Sequence, residues 1–402
     1  MRCIPKLPNT HKCAGCLACG DVCPTECISF PLMGDGHFHP HIDKNKCVQC
    51  LSCERVCPVL NMRKGLSERS QPYAVWSKDT KLRLKSSSGG VFGQIAKEFL
   101  SSGGYVAGAT IEGLNVKHII IHSVDKLPLI QGSKYLQSET VGIYKAVRKL
   151  LDKKKKVLFS GTGCQVAAIY NVIPKKLWAN LYTIDLICHG VPSRYDLNIY
   201  CRMQEKKIVC IDSFRDKMWK PGYAMTCTCD DGSKIRSDIN YFFEAFNNNK
   251  TLRWACYECK FKTGLNRCSD ITIGDFWGNK KYFAELPKGL SLCILHSEKG
   301  NQMLCNEGLY IDKATWAESI LKNKDYFLPT NYYKYHPLRW IYPYLVKYAS
   351  NYFLSKYIAN IKIDGCFYFP LRIVDSIFQH CNHKNVCKQI TKMLWAVKNI
   401  SG

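Results

Sequence analysis

Two runs of four cysteines near the amino terminus constrain the fold of this chain more than any other feature. Both runs have the spacing C-x2-C-x2-C-x3-C, and Pro follows each fourth cysteine. A loop with this spacing can wrap three corners of an iron–sulfur cube, while its fourth cysteine reaches across to a second cube. Zinc sites and disulfides do not require such a doubled run. We therefore predict two [4Fe–4S] clusters, one bound by Cys13, Cys16, Cys19 and Cys57 and the other by Cys47, Cys50, Cys53 and Cys23.

The length of the chain and the changes in its sequence pattern predict three regions. A chain of 402 residues suggests two or three domains. Residues 1–62 have the spacing of a two-cluster ferredoxin-type domain, and a polar linker follows them. Strands alternate with helices over residues 73–300, which predicts an α/β domain. Residues 301–402 are rich in Lys and aromatic residues and are predicted to be mostly helical, as packed helices or, alternatively, as a helix on a membrane surface.

The net charge of +25, from 57 Lys and Arg against 32 Asp and Glu, bears on the partners. It favours acidic or phosphate-bearing partners or an anionic membrane surface, although much of the excess fits a solvated surface equally well. We expect no nucleic-acid partner, because no nucleic-acid-binding motif is present. No apolar run reaches the ~18 residues of a membrane span, and no signal peptide is recognisable. Because cluster assembly needs reduced thiols, we expect a cytoplasmic location.

Two loops of small residues in the α/β region each lead into a predicted helix. Residues 86–90 have the sequence Ser-Ser-Ser-Gly-Gly and precede a helix over 91–100. Residues 160–165 have the sequence Ser-Gly-Thr-Gly-Cys-Gln and join a buried strand to a helix. Backbone N–H groups at a helix start suit a phosphate, although a tight turn is the commoner explanation of a lone G-x-G. Beside an electron-transfer domain, two such loops point to a redox cofactor such as a flavin, which exchanges both one and two electrons.

A second group of cysteines lies within the α/β region. Cys256, Cys259 and Cys268 are close in sequence, and Cys188 ends a predicted buried strand, where ligands collect in α/β sheets. With Cys188 as the fourth thiolate, these residues have the composition of a third [4Fe–4S] site. A zinc site made by the same residues is an equal alternative on spacing alone.

Several other side chains have both a functional and a structural interpretation. Cys227 and Cys229 are alternative fourth ligands, but they share one face of a predicted strand and fit simple packing. Lys134, in a Gly-Ser-Lys-Tyr loop, can hold a phosphate or a substrate anion, or lie in a surface turn. A Phe-Arg-Asp-Lys loop at 214–217 is similar. His189, next to a candidate ligand, is a possible proton donor or a structural histidine at a strand end.

These segments, in this order, resemble the coenzyme F420 hydrogenase/dehydrogenase beta-subunit family, which includes F420-linked formate dehydrogenase subunits and plant 7-hydroxymethyl chlorophyll a reductase. The resemblance covers about residues 1–280 and depends on the segments 86–90, 132–135, 160–165, 188–193, 214–217 and 256–278. One departure is Gly163, where the family often has Pro. Gly permits the same backbone path, so the turn should be looser but should keep its amide groups.

The resemblance implies an α/β catalytic domain that binds FAD and a [4Fe–4S] cluster. Its implied cluster ligands are Cys188, Cys256, Cys259 and Cys268. The implied flavin contacts are Ser87, Ser88, Gly89, Gly90, Ser160, Gly161, Thr162, Gly163, Cys164 and Gln165, and the candidate catalytic residues are Lys134 and His189.

The sequence therefore predicts an iron–sulfur flavoprotein oxidoreductase. Electrons would pass between a ferredoxin-like donor, the clusters, FAD and an organic acceptor, either an F420-type deazaflavin or another two-electron substrate. One alternative is a reductase of polysaccharide or sugar precursors, and another is an electron-transfer subunit of a dehydrogenase or hydrogenase. A zinc-stabilised binding module is a weaker alternative.

Overall fold

The computed structural model describes residues 4–63, 65, 70–238, 240–263, 267–279, 281–320 and 323. Most of the predicted helical region 301–402 lies outside these residues, and so does part of the polar linker before residue 73. Within the described ranges, no helix has the length and apolar character needed to cross a bilayer.

The amino-terminal region repeats one small motif. Each cysteine loop leads into a short helix, α1 (Ala18–Asp21) after the first loop and α2 (Ser52–Val56) after the second. Between these helices, the short strands β1 (Ile28–Ser29) and β2 (His41–Ile42) pair in antiparallel fashion. The two cysteine runs therefore lie in equivalent loop–helix units, as their shared spacing predicts.

The rest of the described chain contains two further sheets and the helices that connect their strands. The strands are β3 (Gln71–Ser77), β4 (Tyr105–Glu112), β5 (Asn115–Ile121), β6 (Val157–Thr162), β7 (Leu181–Leu186), β8 (Ile208–Ser213), β9 (Met225–Cys229), β10 (Lys234–Ser237), β11 (Ile271–Asp275), β12 (Ser291–Leu295) and β13 (Leu309–Lys313). The helices are α3 (Thr80–Lys85), α4 (Val91–Ser101), α5 (Leu127–Ile130), α6 (Ile143–Asp152), α7 (Gly163–Val172), α8 (Arg194–Arg202), α9 (Tyr241–Asn247), α10 (Trp254–Tyr257), α11 (Glu298–Leu304) and α12 (Trp316–Ile320). Short 3-10 helices occur at Val124–Lys126, Lys175–Asn180 and Phe283–Glu285.

The larger sheet has the strand order β13-β3-β12-β11-β7-β6-β4-β5. Its four central strands, β11, β7, β6 and β4, are parallel to their neighbours within that set, whereas the outer strands pair in antiparallel fashion. The predicted mixed α/β fold is thus confirmed. Because the parallel strands end at one edge, the loops that follow β6, β7 and β11 meet there.

Helices cover both faces of this sheet. Leu158 and Phe159 of β6 point to opposite faces because side chains alternate along a strand, and both are fully buried. Leu158 packs in a cluster with the apolar face of α4, and Phe159 packs in a cluster with α6 and α7. Apolar clusters therefore pack against both faces of the sheet below the loops at its edge.

One helix begins later than its sequence pattern predicts. The pattern suggests a helix over 139–151, but α6 begins at Ile143. Glu139 instead extends beside β5, since its N–H donates to the carbonyl of Val116 and its carbonyl accepts from the N–H of His118. Thr140 then donates a hydrogen bond to the carbonyl of Cys16 at 2.7 Å. Tertiary contacts have replaced the first helical turn.

The smaller sheet has the order β10-β9-β8 and carries the shorter strands that the sequence shows after residue 208. Cys227 and Cys229 lie on the buried face of β9 and pack in one cluster with Phe214 and Phe242. These two cysteines therefore occupy the positions that the packing interpretation assigns to them.

The amino-terminal module is held against the large sheet through the cysteine loop itself. The carbonyl of Cys16 accepts hydrogen bonds from Tyr144 Oη at 2.8 Å and from Thr140 Oγ1. Gln137 Nε2 donates to the carbonyl of Gly15 at 3.1 Å. The loop predicted to bind the first cluster is thus attached directly to the α/β region.

Candidate functional site

The first four predicted ligands converge in one buried place. Burial raises the pKa of Cys16, and the neighbouring thiols of Cys19, Cys13 and Cys57 raise it further. These are the four residues that the sequence assigns to one cluster, including Cys57 from the other run. A buried set of four mutually repelling thiolates is suited to a cluster whose irons compensate their charge.

The second set converges in the same way. Burial and the thiols of Cys23 and Cys50 raise the pKa of Cys53 to about 11. An additional cysteine, Cys27, lies beside this set with its Sγ 3.3 Å from that of Cys23. Burial, followed by Cys23 and Cys47, raises its pKa to about 11. Cys27 stands outside both four-cysteine runs, so the spacing of those runs gives no sign of it.

Backbone conformation also fits two equivalent cluster loops. Gly15 and Gln49 occupy the same place in the two runs and have φ of 73° and 55°. Leu17 and Leu51 are likewise equivalent and have φ of 59° and 58°. Left-handed dihedrals are unfavourable for residues other than Gly, so their repetition indicates a specific wrapped loop that something must stabilise. Bound cubes would provide that stabilisation.

Among the described residues, no group of three or more His, Cys, Asp or Glu side chains is close enough to hold a single metal ion. A cube places each thiolate on a different iron and therefore needs wider spacing than one tetrahedral ion does.

The downstream cysteines do not all have the same neighbours. Burial and the thiols of Cys256 and Cys259 raise the pKa of Cys188 to about 12. Burial also raises the pKa of Cys164 well above its usual value, with further contributions from Cys259 and Cys188. Cys164, which the family resemblance assigns to the flavin, therefore lies among the downstream thiols.

Cys268 has a different environment. It is buried, and burial followed by the Asp185 carboxylate raises its pKa to about 12, while Arg63 and Arg267 act in the opposite direction. Its strongest electrostatic neighbours are thus charged side chains rather than thiols. Cys268 packs in the same apolar cluster as Cys164 and Cys259.

A glycine brings two of these segments together. Gly190 follows the Cys188-His189 pair after β7 and has φ of 155°. A Cβ at this position would lie 2.8 Å from the Leu252 side chain and 3.3 Å from Cys256 Cβ. Only glycine permits this approach, so the loop after β7 rests on the start of α10, which carries Cys256.

A cavity of about 380 Å³ lies at the carboxyl edge of the parallel strands. Its volume is within the range of small-molecule and cofactor sites. Eight of the ten predicted flavin contacts line it, and so do both predicted catalytic residues: Ser87, Ser88, Gly90, Ser160, Gly161, Thr162, Cys164, Gln165, Lys134 and His189. Ala14 and Gly15, from the first cysteine loop, form another part of the wall. One cavity therefore touches the candidate cofactor loops and the first candidate cluster.

The two remaining predicted flavin contacts are backbone packing positions. The N–H of Gly89 donates to Ser291 Oγ at 3.0 Å, and its carbonyl accepts from the N–H of Ser77 at 2.7 Å. A Cβ on Gly163 would lie 2.8 Å from the carbonyl of Phe261. Gly163 thus lets α7 approach the loop that carries Cys259, and a Pro here would have to shift that contact.

Lys134 lies at the cavity wall rather than in a solvated surface turn. Its Nζ donates to the carbonyl of Gln131 at 2.7 Å, and burial lowers its pKa to about 7. The neighbouring Tyr135 is enclosed by aromatic rings, including Phe214 and Phe246. An amine that is held in this way changes charge near neutral pH and is well suited to meet an anion in the cavity.

His189 is positioned by the second cysteine segment. Its ring meets the edge of Phe246 with 4.9 Å between centroids, and its carbonyl accepts a hydrogen bond from Lys262 Nζ. Lys262 lies three residues after Cys259, so the same segment fixes both His189 and the downstream thiols.

His118 is a cavity residue that the sequence analysis missed. Its ring nitrogens lie 2.7 Å from Ser138 Oγ and 3.0 Å from the carbonyl of Ser160. Because a carbonyl only accepts, Nε2 donates to Ser160, and burial lowers the pKa of His118 to about 4, which keeps the ring neutral. It fixes the carbonyl that begins the 160–165 loop. A single His within an alternating strand gives no functional signal in sequence.

The Phe-Arg-Asp-Lys loop supports the cavity from the other side. Arg215 NH1 lies 2.5 Å from the carboxylate of Asp275, at the end of β11, and the guanidinium lies 5.5 Å from the ring of Trp277. Lys217 Nζ donates to the carbonyl of Ser88 at 2.6 Å and to two other carbonyls. Lys217 therefore anchors the serine loop through its backbone.

Comparisons with known proteins identify two family regions in the chain. Residues 154–314 match the family described as the C terminus of the beta subunit of coenzyme F420 hydrogenase/dehydrogenase, and residues 12–61 match the 4Fe–4S dicluster domain. No curated protein matches the chain. Among solved structures, a chain of the xenon-derivatised F420-reducing [NiFe] hydrogenase complex from Methanosarcina barkeri is 14% identical, with a TM-score of 0.42 and coverage of 60% of this chain and 81% of that chain. The predicted family resemblance is therefore confirmed, over residues 12–61 for the 4Fe–4S dicluster domain and over residues 154–314 for the C-terminal part of the coenzyme F420 hydrogenase/dehydrogenase beta-subunit family.

Proposed function

We propose that this chain is an iron–sulfur flavoprotein oxidoreductase that passes electrons between a protein donor and an organic acceptor in the cytoplasm. The observation that carries the proposal is the shared cavity wall, to which the first cysteine loop contributes Ala14 and Gly15 and the α/β loops contribute Ser160 to Gln165 and their neighbours. A cofactor in this cavity would lie next to the first cluster. A flavin there would supply the exchange between single electrons and electron pairs.

The residues present fit a flavin. Ser87 Oγ accepts a hydrogen bond from the N–H of Ser133 at 2.7 Å, so the two loops that would meet the cofactor are already tied together. Thr162 and Gln165, whose side chains cap the start of α7, both line the cavity. Lys134 would supply positive charge to an anionic group, and His189 would exchange a proton with the acceptor.

We further propose that Cys164, Cys188, Cys256 and Cys259 bind the third [4Fe–4S] cluster. The thiols of Cys259 and Cys188 act on Cys164, and those of Cys256 and Cys259 act on Cys188, which supports this set. The strongest electrostatic neighbours of Cys268 are instead Asp185, Arg63 and Arg267. Cys164 also experiences the thiol of Cys16, which places the two groups near each other. Cys164 lines the cavity as well, so the third site would lie beside the flavin.

The first experiment is a count of iron, acid-labile sulfide and flavin per chain, made on full-length protein purified without oxygen. About twelve irons and one flavin support the proposal. About eight irons with no flavin would overturn its catalytic half and leave a non-catalytic electron-transfer subunit.

The ligand set has its own test. Cys164→Ser and Cys268→Ser are matched variants, since each removes one thiol that packs in or against the same apolar cluster. We expect Cys164→Ser to lose about four irons and Cys268→Ser to retain all of them. The reverse pattern would restore Cys268 to the ligand set.

The acceptor is tested by reoxidation of the reduced protein. The family that residues 154–314 match is described by its link to coenzyme F420, so a deazaflavin is the first acceptor to try, followed by other two-electron acceptors. Turnover by the isolated chain supports an enzyme. Electron delivery only to another subunit of a dehydrogenase or hydrogenase supports the non-catalytic alternative.

A further inference from the structure

Arg253 is a buried cation that reaches from the α/β region into the first cysteine loop. Its side chain is fully buried, with none of the residue exposed. Its Nε donates to the carbonyl of Cys13 at 2.6 Å, and one terminal nitrogen lies 3.6 Å from Cys13 Sγ. The same nitrogen donates to the carbonyl of Phe38 at 2.8 Å. The guanidinium therefore holds both the backbone and the thiol of one predicted ligand.

The other contacts of Arg253 are also with polar groups around that loop. NH1 donates to Gln137 Oε1 at 2.9 Å, and NH2 lies 3.2 Å from His39 Nδ1. The nearby carboxylate of Asp35 is engaged by His39 Nε2 at 3.0 Å. None of these acceptors of Arg253 is a carboxylate. A buried guanidinium is costly unless a negative charge compensates it, and a cluster with four thiolates supplies that charge.

We propose that Arg253 is a positioning residue that raises the reduction potential of the cluster bound by Cys13, Cys16, Cys19 and Cys57. Reduction adds one negative charge to the cluster, and a fixed cation in a water-poor site stabilises the reduced state more than the oxidised state. Hydrogen bonds to a ligand sulfur also raise the reduction potential of a cluster. This inference rests on one part of the proposed function, namely that Cys13, Cys16, Cys19 and Cys57 bind a [4Fe–4S] cluster.

Arg253 also links this cluster to the downstream cysteines. Its carbonyl accepts a hydrogen bond from the N–H of Cys256 at 2.8 Å, so Arg253 begins the helix that carries Cys256. A Cβ on Gly15 would lie 2.7 Å from the Arg253 guanidinium carbon. The same residue therefore fixes the cluster loop, the cavity wall at Gly15 and the position of Cys256, and its conformation matters to all three.

The test is a redox titration of full-length protein, monitored by electron paramagnetic resonance. Arg253→Gln should lower the equilibrium constant for reduction of one cluster tenfold or more, about 59 mV for one electron. Arg253→Lys keeps the charge but loses the fork of hydrogen bonds, and should give a smaller shift. Lys12→Gln is the matched control, because it removes a charge next to Cys13 that is exposed to solvent. Lys12→Gln should change the reduction potential of the cluster by less than a third of the shift expected for Arg253→Gln.

If Arg253→Gln and Arg253→Lys both lose iron, their reduction potentials cannot be compared with that of the wild-type protein. A third variant, which retains Arg253, then tests the proposal. Gln137→Glu places a carboxylate against the guanidinium and should lower the same potential while Arg253 stays in place. Variants with wild-type iron content and unchanged potentials would overturn the role of Arg253. A wild-type protein without cluster signals would instead overturn the proposed function, so the two failures are distinguishable.

Discussion

The buried ion pair between Asp185 and Arg267 offers the sharpest test of how the downstream cysteine segment is held. Arg267 NH1 lies 2.7 Å from Asp185 Oδ2, and the Arg267 and Asp185 side chains are 0% and 1% exposed. Arg267 also donates to the carbonyl of Leu186 at 3.0 Å and to that of Lys262 at 3.0 Å. The pair thus ties the segment after Cys259 to the end of β7.

Removing one partner leaves an uncompensated charge in the interior, which costs about 3–5 kcal/mol. Asp185 additionally accepts a hydrogen bond from Ser269 Oγ at 2.9 Å, so its loss also frees a second buried group. We therefore expect Asp185→Asn and Arg267→Met each to destabilise the chain by about 3–5 kcal/mol. At roughly 2 °C per kcal/mol, the unfolding midpoint should fall by about 6–10 °C.

The assay is thermal unfolding at fixed pH, together with the iron content of each variant. The double variant should lose at least about 2 kcal/mol less than the sum of the two single variants, because neither charge is then left alone. Lys206→Met, which breaks the exposed pair with Asp231, is the control and should change the midpoint little. Additive losses in the double variant would refute the reasoning, since they would mean that the two groups do not depend on each other.

Three further predictions concern the cavity and its surroundings. Burial lowers the pKa of Lys134 from 10.5 to about 7, so the charged form of this lysine destabilises the folded chain by up to roughly 5 kcal/mol. This loss of stability is complete below pH 7 and disappears as the pH rises towards 10.5. Lys134→Met should therefore stabilise flavin-free protein more at pH 7 than at pH 10 in thermal unfolding, and an equal gain at both would contradict this. His118→Ala removes two buried hydrogen bonds and should cost about 1–3 kcal/mol at pH 8. Because folding lowers the pKa of His118 from 6.5 to about 4, this cost should become smaller as the pH falls below 6.5, where the unfolded histidine gains a proton that the folded one excludes. Gly190→Ala should reduce iron content through its clash at 2.8 Å, whereas Gly222→Ala, which has φ of 94° and no atom within 4 Å of its Cβ, should retain iron; equal iron contents would refute the packing argument.

Much of the fold and of the cavity could be predicted because local spacing and strand order carry that information. The doubled cysteine spacing predicts which thiols meet, and Cys57 does lie with Cys13, Cys16 and Cys19. Likewise, residues 160–165 end a parallel strand, so they are expected at the carboxyl edge of the sheet, where they line the cavity.

The rest depends on contacts between residues far apart in the chain. The sequence predicts Cys268 as a ligand because it follows a close cysteine pair, whereas Cys164 gives no such sign until the fold brings it beside the thiols of Cys259 and Cys188. Arg253 is 240 residues from Cys13, and a lone Arg before a cysteine pair carries no sign of its partner. His118 is likewise indistinguishable from other inward-facing strand residues until its two hydrogen bonds are seen.

The wall that Ala14 and Gly15 contribute to the cavity has a consequence for how the protein matures. The cavity is complete only when the first cysteine loop is folded against the α/β region, and iron insertion is what orders such a loop. We therefore expect cluster assembly to precede firm cofactor retention in the cell. In a host short of iron, the chain would accumulate with an incomplete cavity, so iron supply would govern the proposed flavin site as well as the clusters.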